Sequence, residues 1–469
     1  MAEKHSDNAP QRTLWNKWVP VSVRHNFTLL AGSLIGIILV ALFVGSTQIR
    51  PLVFSKNTVL DNMDVTSNVA GSVDFFDRSI PHSMDLRISA AAYQLLIRDF
   101  QSGEGKTWVQ ADVSIDGISI DAVGLRLKGN STLMSLKNAA SGNSEAPSIM
   151  TDSFATASFD NPSSLPLLIS FDRFIPGRLF QGRSELALRP VTADNTNLNE
   201  ALALQLIADS GQVSQNFSWV ALSVNGHPST TRLVIENPDQ QYAYRLNLGS
   251  GVLYKSTSDN EFRYKGEDIT RYLNDFDQLN AVGSMDMTPI IKLLGWLENA
   301  DADEFDAGLP ERVDIGSFAS YVVTQELLGN LDDMAGPSRN FMLWYGLENN
   351  KFSVLNWDMN LALGAADLAG MTYSQGVLPV ENLLYTSSAF PESGGVFGNQ
   401  LKERFVASAA FADEIARQRE NLSGLWDATH ANALIDQLHP SIAVSDTLSK
   451  EQIAASAERL KQVVFSMLR

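Results

Sequence analysis

Asp332, Asp333, Asn340 and Asp358 are the residues of this chain whose types and spacing best suit chemistry. They occur in three short runs, Asn330-Leu331-Asp332-Asp333, Arg339-Asn340 and Trp357-Asp358-Met359-Asn360. The first run follows a helix predicted over Ile315–Leu328. Asn340 opens a predicted hairpin of Phe341–Tyr345 and Phe352–Leu355, and Trp357-Asp358 closes it. A hairpin returns on itself, so Asn340 and Asp358 become neighbours in space. Asp332 or Asp333 approaches from the preceding loop. Two carboxylates and an amide converging on one spot suit a hard cation held by oxygen. The same parts serve phosphoryl transfer, in which one acid orients the attacking hydroxyl while another acid and an amide hold magnesium on phosphate. Asp and Asn also populate turns for local hydrogen-bonding reasons, and that is the plainer reading of these runs.

Basic residues supply a second constellation. Arg126 and Lys128 share one face of a predicted strand that runs into Gly129-Asn130-Ser131-Thr132, and basic groups beside backbone donors can hold phosphate. The run matches neither a Walker loop nor the usual glycine-rich loop. Gly251-Val252-Leu253-Tyr254-Lys255 is strand-like and ends in an aromatic ring and an amine. Glu236, at the end of the strand before it, is a candidate ion-pair partner for a basic group in a cleft.

These residues need elements to position them. Ser89–Phe100 has helical spacing of apolar residues. Val109–Ile115 alternates, Asp116-Gly117 makes a two-residue turn, and alternation resumes from Ile118. Residues 138–165 are rich in Ala, Ser, Asn, Gly and Pro and read as an insertion. Strands are predicted at Leu167–Phe171, Glu185–Leu188, Trp219–Val224 and Arg232–Ile235. Between them a helix begins at Asn197 with a capping box to Glu200, and Gly211 stops it. After Lys255 helices dominate, at Thr288–Asn299, Ile315–Leu328, Gln400–Asn421 and Lys450–Leu468. The fold class is therefore α+β, with a strand-rich lobe at 80–255, carrying the insertion 138–165, and a helical lobe at 256–469.

Composition narrows the function. The 469 residues carry 35 Lys+Arg against 53 Asp+Glu, a net charge of −18, which argues against nucleic acid as a partner. Cysteine is absent, so disulfides, thiol nucleophiles and Cys-ligated metals are excluded. The six histidines never take a metal-ligand spacing. The stretch between Arg24 and Arg50 holds no charged residue and is long enough to cross a bilayer as a helix. Lys4, Arg12, Lys17 and Arg24 precede it, with Trp15 and Trp18 at an interfacial position. This predicts a cytoplasmic tail at 1–24, a transmembrane signal anchor at 25–49, a juxtamembrane linker at 50–79, and an extracytoplasmic remainder.

Taken in order, the motifs resemble the CotH kinase family, named for a spore coat protein. The matching runs are VGLRLKGNSTL at 123–133, ISFDRFIPG at 169–177, FQGRSELALRP at 180–190, Asp194, Asn199-Glu200 and SVNG at 223–226. They continue through Glu236, GVLYK at 251–255, GNLDD at 329–333, RNFML at 339–343 and NWDMNLALG at 356–364. The resemblance implies an atypical two-lobed protein-kinase-like fold that binds ATP with Mg2+ or Mn2+ and phosphorylates serine on a protein, here a Ser-rich envelope or coat protein. Carried over, it implies Asp332 as catalytic aspartate, with Asp358 and Asn340 as metal ligands. Tyr254 and Trp357 would sandwich the adenine, Arg126, Lys128 and Lys255 would contact phosphate, and Glu236 would support them. The family run Trp-Asp-x-Asp ends here in Asn360, an amide that ligates metal without adding charge. Two other functions suit the same residues: an inactive scaffold of this fold, and a metal-dependent envelope binding module. Binding of ATP with metal separates the third from the others, and phosphate transfer separates the first two.

Overall fold

Alternation of apolar and polar residues builds a barrel first. In the computed structural model, residues 64–468 and Thr28 are described, apart from 104–105, 130–132, 134–135, 137–156, 193–194, 281–285, 331, 337 and 365–397. The predicted anchor at 25–49, apart from Thr28, lies outside the described residues, as do Asn130–Thr132, Asp194 and most of the insertion. Among the described residues no helix is long and apolar enough to cross a membrane.

Strands β2 (His82–Ile88), β3 (Val109–Ile115), β4 (Ile118–Leu127), β5 (Leu167–Ser170), β7 (Glu185–Leu188), β9 (Thr230–Glu236) and β8 (Phe217–Val224) close into a barrel in that spatial order. All neighbours are antiparallel except β2 and β8. The β3–β4 hairpin turns on Asp116 and Gly117, both at positive φ (49° and 84°), as a two-residue turn between twisted strands requires. Inward residues such as Met84, Leu86, Val113, Leu125, Ile169 and Leu186 fill the barrel. Helix α1 (Ala90–Ser102) closes one side: the Ser89 side chain accepts from the Ala92 N–H and Gly103 ends the helix at φ 77°. Strand β1 (Ser67–Val69) pairs in parallel with β6 (Arg178–Phe180). Part of the stretch expected to be a linker is therefore sheet.

Helix α2 (Leu198–Asp209) sits under the barrel and is buried nearly all round, from Leu198 through Leu204 and at Leu206 and Ile207. Its expected capping box does not form. Asn197 is left-handed (φ 52°) and makes no side-chain cap, because Glu200 turns instead toward Arg189. Trp219 and Trp426 bracket the helix through indole N–H bonds to the carbonyls of Thr196 and Leu206. Helix α3 (Gln240–Arg245) then leads to a second sheet.

That sheet runs β11 (Phe276–Gln278), β10 (Gly251–Ser256), β12 (Met342–Gly346), β13 (Phe352–Leu355), all antiparallel. It joins chain before and after residue 255, so a boundary there falls inside a sheet and Val59–Arg469 forms one compact unit. Helices α4 (Thr288–Asn299), α5 (Ala302–Gly308), α6 (Ile315–Leu327), α7 (Gln400–Ala407), α8 (Ala412–Leu425), α9 (Ala428–Leu438) and α10 (Lys450–Met467) complete the unit. The helix expected over Gln400–Asn421 is two helices, because Ser408 ends α7 and its side chain caps the turn that begins α8. Phe318, Phe405, Phe411, Leu434 and Leu460 share one core with α2 and the second sheet.

Candidate active site

The ends of both sheets and two loops meet around a cavity of about 320 Å³. Its wall includes Arg126 and Lys128 at the end of β4, Arg189 after β7, and Lys255 on β10. Asp332, Asn340, Trp357, Asp358 and Asn360 face them from the loops that flank the β12–β13 hairpin. Three residues widely spaced in sequence, Asp332, Asn340 and Asp358, thus reach one cavity.

Asp332 is 4% exposed, and its Oδ1 accepts the Ser338 N–H at 2.7 Å. Burial, together with Asp358 and Asp333, pushes its carboxyl up to about 6. Asp333 turns away from the cavity: it pairs with Lys402 of α7 and accepts the Ala335 N–H. Buried amides hold the two acidic loops in place. Asn330 donates to Gln325 at 2.8 Å, Gln325 to Asn356 at 2.8 Å, and Asn356 to Gln212 at 3.0 Å. The Tyr321 hydroxyl accepts from the Met334 N–H at 2.9 Å and donates to the Asn340 carbonyl at 3.1 Å.

Asp358 occupies the left-handed region (φ 57°), where an L-residue is uncommon and strain collects at functional positions. Its carboxylate pairs with the Arg189 guanidinium, whose Nε donates to Glu200 at 2.9 Å. Burial opposes the charge on Arg189, but Asp358 and Glu200 outweigh it and hold the guanidinium above the usual range. Burial raises Glu200. The neighbouring Asn199 donates its amide to the carbonyls of Asn360 (3.0 Å) and Ala362 (3.1 Å). The first turn of α2 therefore positions Asp358 from both sides. Sequence reasoning missed Arg189 and Glu200 as site residues. The buried arginine in Leu188-Arg189-Pro190 was the available signal, and the capping-box reading of Glu200 hid its partner.

Oxygen donors on this wall fit a hard cation. Asp358, Asn340 and Asn360 line the cavity without histidine, and Asn360 Oδ1 is buried with no hydrogen-bond partner. Among the described residues no group of three His, Cys, Asp or Glu gathers as a metal site. Asn340 and Asn360 place amide oxygens on the same wall as Asp358.

Of the expected ligand contacts, Arg126, Lys128, Lys255 and Trp357 line the cavity, whereas Tyr254 and Glu236 do not. Lys128 and Lys255 lie over the Trp357 ring, with ammonium nitrogens 5.6 and 5.3 Å from its centroid. Burial lowers both, and for Lys128 the adjacent Lys255, Arg189 and Arg126 lower it further. Lys128 also donates to Asn237 Oδ1 at 2.8 Å, and Asn237 donates to Glu185 at 2.6 Å. Tyr254 does not face the cavity. Adjacent strand residues point to opposite faces, so with Lys255 in the cleft Tyr254 packs into the core, its hydroxyl donating to the Asp286 carbonyl at 2.6 Å. It cannot sandwich a base against Trp357, whose ring face carries the two ammonium groups. Glu236 also lies elsewhere. It is 2% exposed and pairs with Arg245 and with Arg183 (3.6 Å), so Glu185, through Asn237, is the carboxylate behind Lys128. Arg126 reaches the cavity with its guanidinium 4.9 Å from the Trp108 ring centroid.

A basic wall faces a carboxylate–amide wall across one cavity. The family model described as CotH kinase protein matches residues 127–462, and the chain belongs to the CotH kinase family. Two solved structures are similar to it. The proinflammatory kinase CtkA of Helicobacter pylori is 12% identical over 66% of this chain and 93% of its own, with a TM-score of 0.30. The Shewanella oneidensis MR-1 toxin–antitoxin complex of HipA, HipB and operator DNA contains a chain 11% identical over 61% of this one and 57% of its own, with a TM-score of 0.32. No curated protein matches the chain.

Proposed function

We propose that the chain is a two-lobed, ATP-dependent protein kinase that phosphorylates Ser or Thr of a protein, anchored in the membrane by residues 25–49 with residues 51–469 outside the cytoplasm. The observation that carries the reading is the convergence of Asp332, Asn340 and Asp358 on the cavity that also holds Arg126, Lys128 and Lys255. Phosphoryl transfer asks a protein mainly for positioning and charge stabilisation, and this cavity offers both. Lys128, Lys255 and Arg126 bind phosphate oxygens. Asp332 takes the proton of the acceptor hydroxyl, and a raised carboxyl is a stronger base than an ordinary one. Asp358, Asn340 and Asn360 would hold Mg2+ or Mn2+, which would supply charge neutralisation on the phosphates. Arg189, fixed by Glu200, orients Asp358.

Calorimetric titration of the purified full-length chain with ATP tests the reading. ATP should bind when Mg2+ or Mn2+ is present, and Asp358→Asn should abolish the metal-dependent part of that binding while the protein stays folded. An unchanged metal dependence would remove Asp358 from the site. Binding without transfer to any acceptor would leave the inactive scaffold, a reading favoured by the engagement of Asp358 by Arg189. A C-terminal alkaline phosphatase fusion that is inactive in cells would overturn the orientation.

A further inference from the structure

A second cavity, of about 420 Å³, lies between α4, the turn at Glu311-Arg312 and the far end of the β12–β13 hairpin. It shares no lining residue with the cavity of the candidate active site. Asn340 and Trp357-Asp358, at one end of the hairpin, reach the first cavity, whereas Tyr345, Asn350 and Phe352, at the other end, reach the second. Pro289, Leu293 and Trp296 follow the i, i+4, i+7 spacing of one helix face and form one apolar wall. Tyr345 and Phe352, cross-strand partners with ring centroids 4.9 Å apart, form the other. Both walls are fixed from behind. The Trp296 ring stacks on Phe305, with centroids 5.8 Å apart, and the Phe352 N–H donates to the Arg312 carbonyl at 2.8 Å.

Two cations line this apolar space. Lys292 is exposed and, among the described residues, has no hydrogen bond or ion pair. The Arg312 guanidinium lies 4.4 Å from the Trp296 ring centroid and donates from Nη1 to the Gly308 carbonyl at 2.8 Å. Among the described residues its Nε and Nη2 have no acceptor. Glu311, the one acidic lining residue among those described, is 78% exposed and 3.6 Å from Arg312, a surface pair in which solvent leaves little attraction. Ligand sites have this make-up: apolar and aromatic walls take the bulk of a small molecule, and a few polar groups orient it. We propose that the cavity binds a small aromatic carboxylate. Its ring packs between the Pro289–Trp296 face of α4 and the Tyr345–Phe352 pair, and its carboxylate meets Lys292 and the open edge of Arg312. The volume sits at the low end of the roughly 300–1,000 Å³ of such sites, which suits one or two fused rings. The site is independent of the kinase reading.

The test titrates naphthoate into the full-length protein and follows it by saturation-transfer NMR, with naphthamide as the uncharged control. Naphthoate should bind saturably, and naphthamide about tenfold more weakly, the scale of one charge-assisted hydrogen bond. Lys292→Gln changes an exposed residue and should leave the fold intact. It should weaken naphthoate by roughly tenfold, leave naphthamide unchanged, and be reversed by Lys292→Arg. Tyr345→Ala should weaken both probes, because it removes part of the apolar wall. ATP with MgCl2 should not displace naphthoate. No saturable binding would overturn the site, and equal binding of the two probes would overturn the carboxylate. Naphthoate binding that is indifferent to Lys292→Gln, or that ATP displaces, would put the probe elsewhere and overturn the proposal while leaving the kinase reading standing.

Discussion

Asp332 and Asp333 are adjacent in sequence and opposite in circumstance. Asp332 faces the cavity and Asp333 is paired with Lys402 on a helix 69 residues later. Nothing local in the sequence distinguishes them, because the deciding partner is so distant. Asp332→Asn should lower turnover at least about a hundredfold, the lower end of general-base effects, while ATP affinity changes little; steady-state turnover and calorimetric affinity check this together. Asp333→Asn should act on stability instead. It leaves the Lys402 ammonium buried without its partner, a loss of about 3–5 kcal/mol readable in urea denaturation. The pH dependence follows from Asp332. Its folded carboxyl is raised to about 6, and only the ionised form accepts a proton, so turnover should fall as pH drops through about 6 and hold above it. A profile flat down to pH 5 would assign the proton to another group.

At the scale of elements, helix α2 and the loops around the hairpin matter most. Glu200 and Asn199, from one helical turn, hold Arg189 and the Asn360–Ala362 backbone. Glu200→Gln should free Arg189 to bind Asp358 more tightly against metal. The half-saturating Mg2+ concentration should then rise by roughly tenfold, the scale of one charge-assisted hydrogen bond, as read by metal titration of ATP binding. Tyr321→Phe removes the hydroxyl that joins Met334 to Asn340 inside the core, which should cost about 1–3 kcal/mol of stability. The elements themselves were largely legible. Alternation marked β3 and β4, strand signals marked β5, β7, β8 and β9, and helices were placed at α1, α4, α6 and α10. The break at Ser408 was not, since apolar spacing continues through it and only the hydroxyl-capped turn interrupts the helix.

At the scale of the whole molecule, an acidic chain of net charge −18 concentrates Arg126, Lys128, Arg189 and Lys255 around one cavity. The three acidic and amide runs were readable as a converging set because a hairpin brings its own ends together. The Arg189–Glu200–Asp358 chain was not, because it joins barrel, helix and hairpin loop and exists only once the unit has closed. Tyr254 was assigned to the cleft from its place in a motif, although strand alternation beside Lys255 already sent it the other way. The central claim is that this cavity transfers phosphate and that Asp332 is the base. The most direct measurement follows γ-labelled ATP with the full-length chain, Mg2+ and casein, comparing wild type with Asp332→Asn. The account predicts label on protein with wild type and at least about a hundredfold slower labelling with the variant. Equal labelling by the two proteins, or none by wild type under conditions where ATP binds, would contradict it.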